Sequence, residues 1–192
     1  MNIVKLWFLG ITKPGWMFDE LINRPAPLYG FYLVLARFTV TTLTSILALY
    51  LLHRVPFTSS YLTFLSEENY YKAELFFLPL WGLAVWMMMG GVAYLIFRSI
   101  KKEVNFDHIL NIIAAGMIIP MPFLWLYDWG SIATQHYAIV NQAVSHSISQ
   151  IWEGSIQFIG FKRIIGIKTP VAVMAAIIIN IVYILFAIVF VR

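Results

Sequence analysis

The chain has 192 residues, 61% of them apolar and only 11% charged, with a formal net charge of +4 and no cysteine. A water-soluble domain carries about a quarter of its residues as charges, so lipid must solvate much of this surface. Without cysteine there are no disulfides or thiolate metal sites. The basic residues sit in short links between apolar runs, which is an orientation signal rather than a nucleic-acid footprint.

The opening stretch, MNIVKLWFLGITKPG, lacks the long apolar core and small-residue cleavage site of a signal peptide. Its apolar runs are too short to cross a bilayer. They predict two short helices split at Pro14 and lying in the membrane interface, with Trp7 and Trp16 as headgroup-level anchors. A first span is expected over residues 28–52 and contains Arg37. At about 1.5 Å per residue it is long enough for a hydrocarbon core of about 30 Å. A polar loop over 53–74 follows, with Ser59, Ser60, Glu67, Glu68 and Asn69.

The second span, 75–97, carries Met87, Met88 and Met89, then Gly90 and Gly91, whose lack of side chains lets another helix approach closely. After the basic link Arg98–Glu103, a third span is expected over 107–127. Asp107 is placed to cap its amino terminus. Pro120 and Pro122 predict a kink or break, tolerated in a membrane where neighbours satisfy the freed carbonyls. Residues 128–137 read as a polar link.

Residues 138–161 are too polar for a simple span and too apolar for a surface loop. As a helix they place Gln142, His146, Gln150, Glu153 and Gln157 on one face, and Ile139, Val144, Ile148, Ile151, Ile156 and Ile159 on the other. In so apolar a chain, this pattern predicts a fourth span whose polar side is hidden by the other helices. A basic link with Lys162, Arg163 and Lys168 leads to Pro170. A fifth span over 170–191 is nearly pure Ile, Val and Ala apart from Asn180 and Tyr183.

The expected fold is therefore all-α: a polytopic membrane protein with an interfacial amino-terminal segment (1–27) and one domain of five transmembrane helices (28–192). Five spans put Lys5, Lys13, Arg24, Arg98, Lys101, Lys102, Lys162, Arg163 and Lys168 on one side, against Arg54, Lys72 and Arg192 on the other. This asymmetry predicts a cytoplasmic amino terminus and an external carboxyl terminus. A surface position for 138–161 would move Lys162, Arg163 and Lys168 to the opposite side.

Thr12-Lys13-Pro14, with Phe18, Ile22 and Arg24-Pro25 just before the first span, resembles the start of the Yip1 domain. Trp152, Gly160-Phe161-Lys162 and Gly166 before a last apolar span resemble its close. The short basic link, the Asn/Asp-rich start of the third span and the late Pro120 resemble its middle. The resemblance covers nearly the whole chain and rests on small, proline and aromatic residues rather than chemical groups. It implies five spans, a cytoplasmic amino terminus and no enzymatic activity. Eukaryotic members are linked to membrane traffic and Rab GTPases through a long soluble amino-terminal region. Here only about 27 residues precede the first span. That puts Rab binding in doubt and looks more like prokaryotic members, some of which accompany transport complexes, and so implies a prokaryotic plasma membrane.

The strongest chemical constellation is a polar layer of Arg37, Glu153 and Asn180, each about eight or nine residues from the cytoplasmic end of its span, or roughly 12–15 Å deep. An unpaired Arg or Glu in hydrocarbon costs at least a few kcal/mol, so an Arg37–Glu153 pair with Asn180 as third partner is expected. It serves either as a register pin or as a site for an ion, a proton or a lipid headgroup. Gln142, His146 and Gln150 lie above it as an outer vestibule; with His136 and Asp128 they are weighed as a metal or proton site, against plain hydrogen bonding in a water-filled opening. No catalytic motif such as HExxH, GxSxG or a Walker loop occurs, and no cofactor is expected. The leading expectation is a non-enzymatic accessory or scaffold protein that binds other membrane proteins within a larger complex; the partners expected are the lipid bilayer and a membrane protein or, short of that reading, a homo-oligomer. The alternative is a small transporter or channel for an ion or lipid.

Overall fold

The computed structural model describes residues 3–23, 27–58, 61–62 and 64–191. Arg24, Pro25, Ser59, Ser60 and Arg192 lie outside the described residues. The elements are α1 (Ile3–Thr12), α2 (Pro14–Ile22), α3 (Pro27–Thr41), a π-helical stretch (Thr42–Ile46), α4 (Leu47–Leu51), α5 (Glu67–Ser99), α6 (Phe106–Ile118), α7 (Met121–Ala133), α8 (Ile139–Gly160), a second π-helical stretch (Phe161–Ile165) and α9 (Thr169–Phe190). Among the described residues there is no strand. Four helical stretches are long and apolar enough to cross a membrane: Leu28–Leu51, Glu67–Ser99, Phe106–Ala133 and Thr169–Phe190. Helix α8 is as long as α9 but too polar to join them on composition.

The wide π turn within the first apolar stretch has a local cause. Thr41 Oγ1 donates to the Arg37 carbonyl at 3.0 Å and Thr44 Oγ1 to the Val40 carbonyl at 2.6 Å. Such hydroxyls compete with the helical ladder. Helix α5 begins at Glu67 rather than Leu75, so the expected loop ends eight residues early. Its first turn places Glu67 and Glu68 at the positive end of the helix dipole. Tyr70, Tyr71 and Glu74 are buried, and the Tyr70 hydroxyl donates to the Phe190 carbonyl at 2.8 Å. Polar residues made this segment read as a loop; packing against the end of α9 keeps it helical.

The third apolar helix breaks at Pro120 as α6 hands over to α7. Asn105, not Asp107, caps α6: its side-chain oxygen accepts the Asp107 N–H at 2.8 Å. The helix starts one residue earlier than expected, leaving Asp107 in the first turn. Helix α7 runs on to Ala133, so Asp128 and Ser131 are helical and the link shrinks to residues 134–138.

Helix α6 forms the centre of the bundle, against α3, α5 and α8. The apolar window of 106–133 is 67% buried, against 22% for that of α9, which lies at the periphery. Helix α8 traverses the bundle end to end. At its start, Tyr137 stacks on Phe57 with ring centroids 5.3 Å apart. Beyond its finish, a Cβ on Gly166 would lie 3.8 Å from Lys102 Nζ, so the link after α5 and the link after α8 share the other end. Gly166, at φ +68°, closes the second π stretch in the left-handed region that glycine adopts without steric cost.

Helices α1 and α2 form a hairpin that buries Leu6, Met17, Phe18 and Leu21. Trp16 is exposed, with the Lys13 ammonium 4.4 Å from its ring centre. Trp7 differs. Its Nε1 donates to the Ile119 carbonyl at 3.0 Å and its ring stacks on Phe123, so it packs into the bundle at the helix break. On the other face of the hairpin, Arg163 Nε and Nη2 each donate to an Asp19 carboxylate oxygen at 2.7 Å.

The two central glycines part company. A Cβ on Gly90 would run into Leu110 of α6, whereas one on Gly91 meets nothing within 4 Å. Gly90→Leu should cost about 1–3 kcal/mol through overpacking, and Gly91→Ala should stay within about 0.5 kcal/mol of wild type, both read by thermal unfolding in detergent. The hydrogen bonds from Arg163 hold the Asp19 carboxyl below its usual range. A depressed folded pKa means that this pair stabilises above the unfolded value of about 3.9 and stops doing so as pH falls through the folded one. Asp19→Asn should flatten the acid limb of the unfolding midpoint plotted against pH; an unchanged limb would assign acid sensitivity to other carboxyls.

Candidate functional site

The interior of the bundle holds four charged side chains among the described residues: Arg37, Glu74, Asp128 and Glu153. Arg37 projects from α3 and Glu153 from α8, and Arg37 Nη1 stands 2.8 Å from Glu153 Oε1 with the side chains 5% and 0% exposed. The guanidinium is held on three sides. Nη1 also donates to the Met117 carbonyl at 2.8 Å, and Nη2 donates to the Tyr183 hydroxyl at 3.2 Å. The Phe38 and Tyr183 rings lie 5.1 and 5.5 Å from its central carbon, within cation–π range.

The helix break supplies part of this site. Two prolines remove backbone donors, and the last carbonyls of α6 fall outside the helical ladder. Arg37 takes Met117 O and Trp7 takes Ile119 O. The residue just before Glu153, Trp152, lies 5.5 Å ring to ring from Phe123, which itself stacks on Trp7.

Asn180 is not the third partner of the pair. Its Nδ2 donates to Gln157 Oε1 and to the Ala176 carbonyl, both at 2.7 Å, and Tyr183, three residues further on the same helix, reaches Arg37 instead. Asn180 and Tyr183 lie about one helical turn apart, and that turn decides which side chain reaches Arg37. Tyr183 was visible in the sequence as one of two interruptions in an apolar run, but a hydroxyl at a helix periphery gives no sign of its partner.

Helix α8 presents Gln142, Ser149, Glu153 and Gln157 to the interior, all buried. Ile139, Val140, Val144, Ile148 and Ile151 are exposed, between 49% and 72%. The polarity is the reverse of a helix lying on a water-solvated protein. Ile156 departs from the expected outer face: it is buried, because α2 and α6 close over the last turns of α8. Several of the polar atoms on this inner side have no hydrogen-bond partner, among them Glu153 Oε2, Ser149 Oγ, Gln150 Oε1, Gln142 Oε1 and Gln157 Nε2, whereas Glu153 Oε1 faces Arg37.

Towards the 134–138 link, Gln142 Nε2 donates to Ser131 Oγ at 3.2 Å, and His146 Nε2 lies 4.0 Å from Asp128 Oδ1 with its own side chain 54% exposed. His136 does not join them. It lines a shallow cavity with Ser131, Thr134 and Asn141, and its carbonyl accepts from Asn141 Nδ2 at 3.1 Å. Among the described residues no group of three or more His, Asp or Glu is placed to hold a metal.

Removing either half of the Arg37–Glu153 pair leaves an uncompensated buried charge, which costs about 3–5 kcal/mol. Arg37→Ala and Glu153→Ala should therefore each lose most of the folded, monodisperse protein in size-exclusion chromatography. The double exchange Arg37→Glu with Glu153→Arg should regain part of it. Single variants as stable as wild type would mean that the pair contributes nothing to the fold. Trp7→Phe, which keeps the stacking and removes one hydrogen bond, should cost about 0.5–1.5 kcal/mol.

No family model matches the chain, and no curated protein or solved structure matches it.

Proposed function

We propose that the chain is a five-span integral membrane protein of the Yip1 type, without catalytic activity of its own, that serves as an accessory or scaffold subunit for other membrane proteins. The observation that carries the membrane reading is the inverted polarity of α8. A helix with buried glutamines and a glutamate, and an exposed row of isoleucine and valine, is stable where the outer solvent is hydrocarbon and the interior supplies the polar partners. Its end-to-end course through the bundle supports counting it as a fifth span beside the four apolar ones. Five spans and the basic links at residues 98–102 and 162–168 favour a cytoplasmic amino terminus in a prokaryotic plasma membrane.

The accessory reading is supported by the sealed state of the polar layer. Arg37 is committed to partners from α6, α8 and α9 at once, the arrangement of a bolt. The broad apolar flank of α9, with Ile177, Ile181, Ile184, Leu185 and Ile188 exposed, is available for lateral contacts. A second reading, a small transporter for an ion or lipid, is favoured by the unpartnered polar atoms along α8.

The chain has no cysteine, so single substitutions report topology directly. With five spans, Gln135→Cys reacts with an impermeant maleimide on intact cells, and Lys162→Cys reacts only after permeabilisation; the same sidedness for both would end the five-span reading. A mild-detergent pull-down from the native membrane, with mass spectrometry and native sizing, should return a stoichiometric partner that persists in Glu153→Gln. A clean monomer or homo-oligomer would sink the scaffold reading. A liposome flux abolished by Glu153→Gln would establish transport instead.

A further inference from the structure

Among the described residues, Arg37 and Glu153 form the buried ion pair, and Asp128 is a buried carboxylate outside it. Arg54 and Lys72, at the same end of the bundle as Asp128, are exposed. An ionised carboxylate taken out of water must find a positive charge or a proton.

Asp128 is where this need is sharpest. It is 4% exposed, near the end of α7, and its Oδ1 is buried without a hydrogen-bond partner. Two further side-chain oxygens lie nearby, on the next turn of α7 and on the facing part of α8. Ser131 Oγ, one turn on, donates to the Asp128 carbonyl at 2.9 Å and has an acceptor lone pair facing α8 that takes Gln142 Nε2 at 3.2 Å. That bond leaves Gln142 Oε1 buried and unpartnered. The titratable neighbours are His146 on α8, 4.0 Å from Oδ1, Tyr71 and Glu74 on α5, and Tyr137 in the link, with Glu153 and Arg37 deeper along α8 and α3. The Tyr137 phenol is raised well above its usual range, first by burial and then by Tyr71, Asp128 and Glu74, which places these groups near one another. Ser131 also lines a surface cavity of about 350 Å³, room for several waters.

We propose that Asp128, with Gln142 Oε1 and Ser131 Oγ, binds a small monovalent cation, either a proton or an alkali-metal ion, that enters through this cavity. The donors are hard oxygens carrying a single full charge, which suits a monovalent ion; a calcium ion takes six to eight oxygens, commonly with several carboxylates. The site goes beyond the scaffold reading and does not depend on it, because the Arg37–Glu153 pair is untouched.

The test uses the full chain in lipid nanodiscs and reads thermal unfolding. Sodium chloride is exchanged for choline chloride at constant ionic strength and, separately, pH is varied at fixed salt. A ligand that binds only the folded state multiplies the folded-to-unfolded ratio about ten-fold for each ten-fold rise above its dissociation constant. If the occupant is an alkali-metal ion, the midpoint rises with sodium in wild type and not in Asp128→Asn, and Gln142→Leu weakens the response. If the occupant is a proton, the midpoint rises as pH falls, Asp128→Asn removes that dependence and His146→Gln leaves it. A pH response abolished by His146→Gln puts the proton on the histidine and overturns the site. Equal responses of wild type and Asp128→Asn to both titrations also overturn it. Should Asp128→Asn fail to fold, Asp128→Glu keeps the charge and moves the carboxyl by one methylene. It must then shift the midpoint of whichever response is seen, and an unmoved midpoint counts against the site.

Discussion

A guanidinium and a carboxylate inside an apolar bundle constrain everything around them. Neither Arg37 nor Glu153 is stable there alone, so α3 and α8 must meet at one depth and one rotation. That requirement reaches further than the pair. The arginine also needs acceptors for its remaining donors, and it finds them in a carbonyl that the broken third helix releases and in a tyrosine hydroxyl from the last helix. Four segments distant in sequence are registered by one side chain.

The proline break is therefore part of the site rather than a defect beside it. A continuous helix through residue 120 would have used Met117 O and Ile119 O in its own ladder. The break gives one to Arg37 and the other to Trp7, and so couples the polar layer to the amino-terminal hairpin. The Trp7, Phe123 and Trp152 rings carry the contact from that hairpin to the residue next to Glu153. Meanwhile Asp19 and Arg163 fasten the hairpin at its other face.

Helix α8 explains why the bundle has this shape. Its polar face runs from Gln142 to Gln157, about 22 Å along the axis at the helical rise. That face must be enclosed over its whole length, by α7 at one end and by α2, α6 and α9 at the other. In the deep half Asn180 Nδ2 donates to Gln157 Oε1, and Arg37 faces Glu153. Where enclosure thins, near Asp128 and His146, acceptors outnumber donors and a surface cavity lies alongside. The deep half of the helix is thus suited to holding the fold and the half near the 134–138 link to holding a cation.

The amino-acid sequence by itself determined the helical class and the approximate course of helices long and apolar enough to cross a membrane, because hydropathy and helical periodicity are local properties that no partner can change. It also singled out Arg37 and Glu153, since a charge in an apolar run has few ways to survive. Tertiary structure decided the rest. Tyr183 rather than Asn180 reached Arg37, Gly90 rather than Gly91 met a neighbouring helix, and Asn105 rather than Asp107 capped α6. It turned Trp7 inward and extended α5 over polar residues that read as a loop. In each case the outcome hung on a difference of one turn or less, about 100° per residue around a helix. Spacing narrows a side chain to a face and a depth, and only the packed neighbours select which group at that depth is touched.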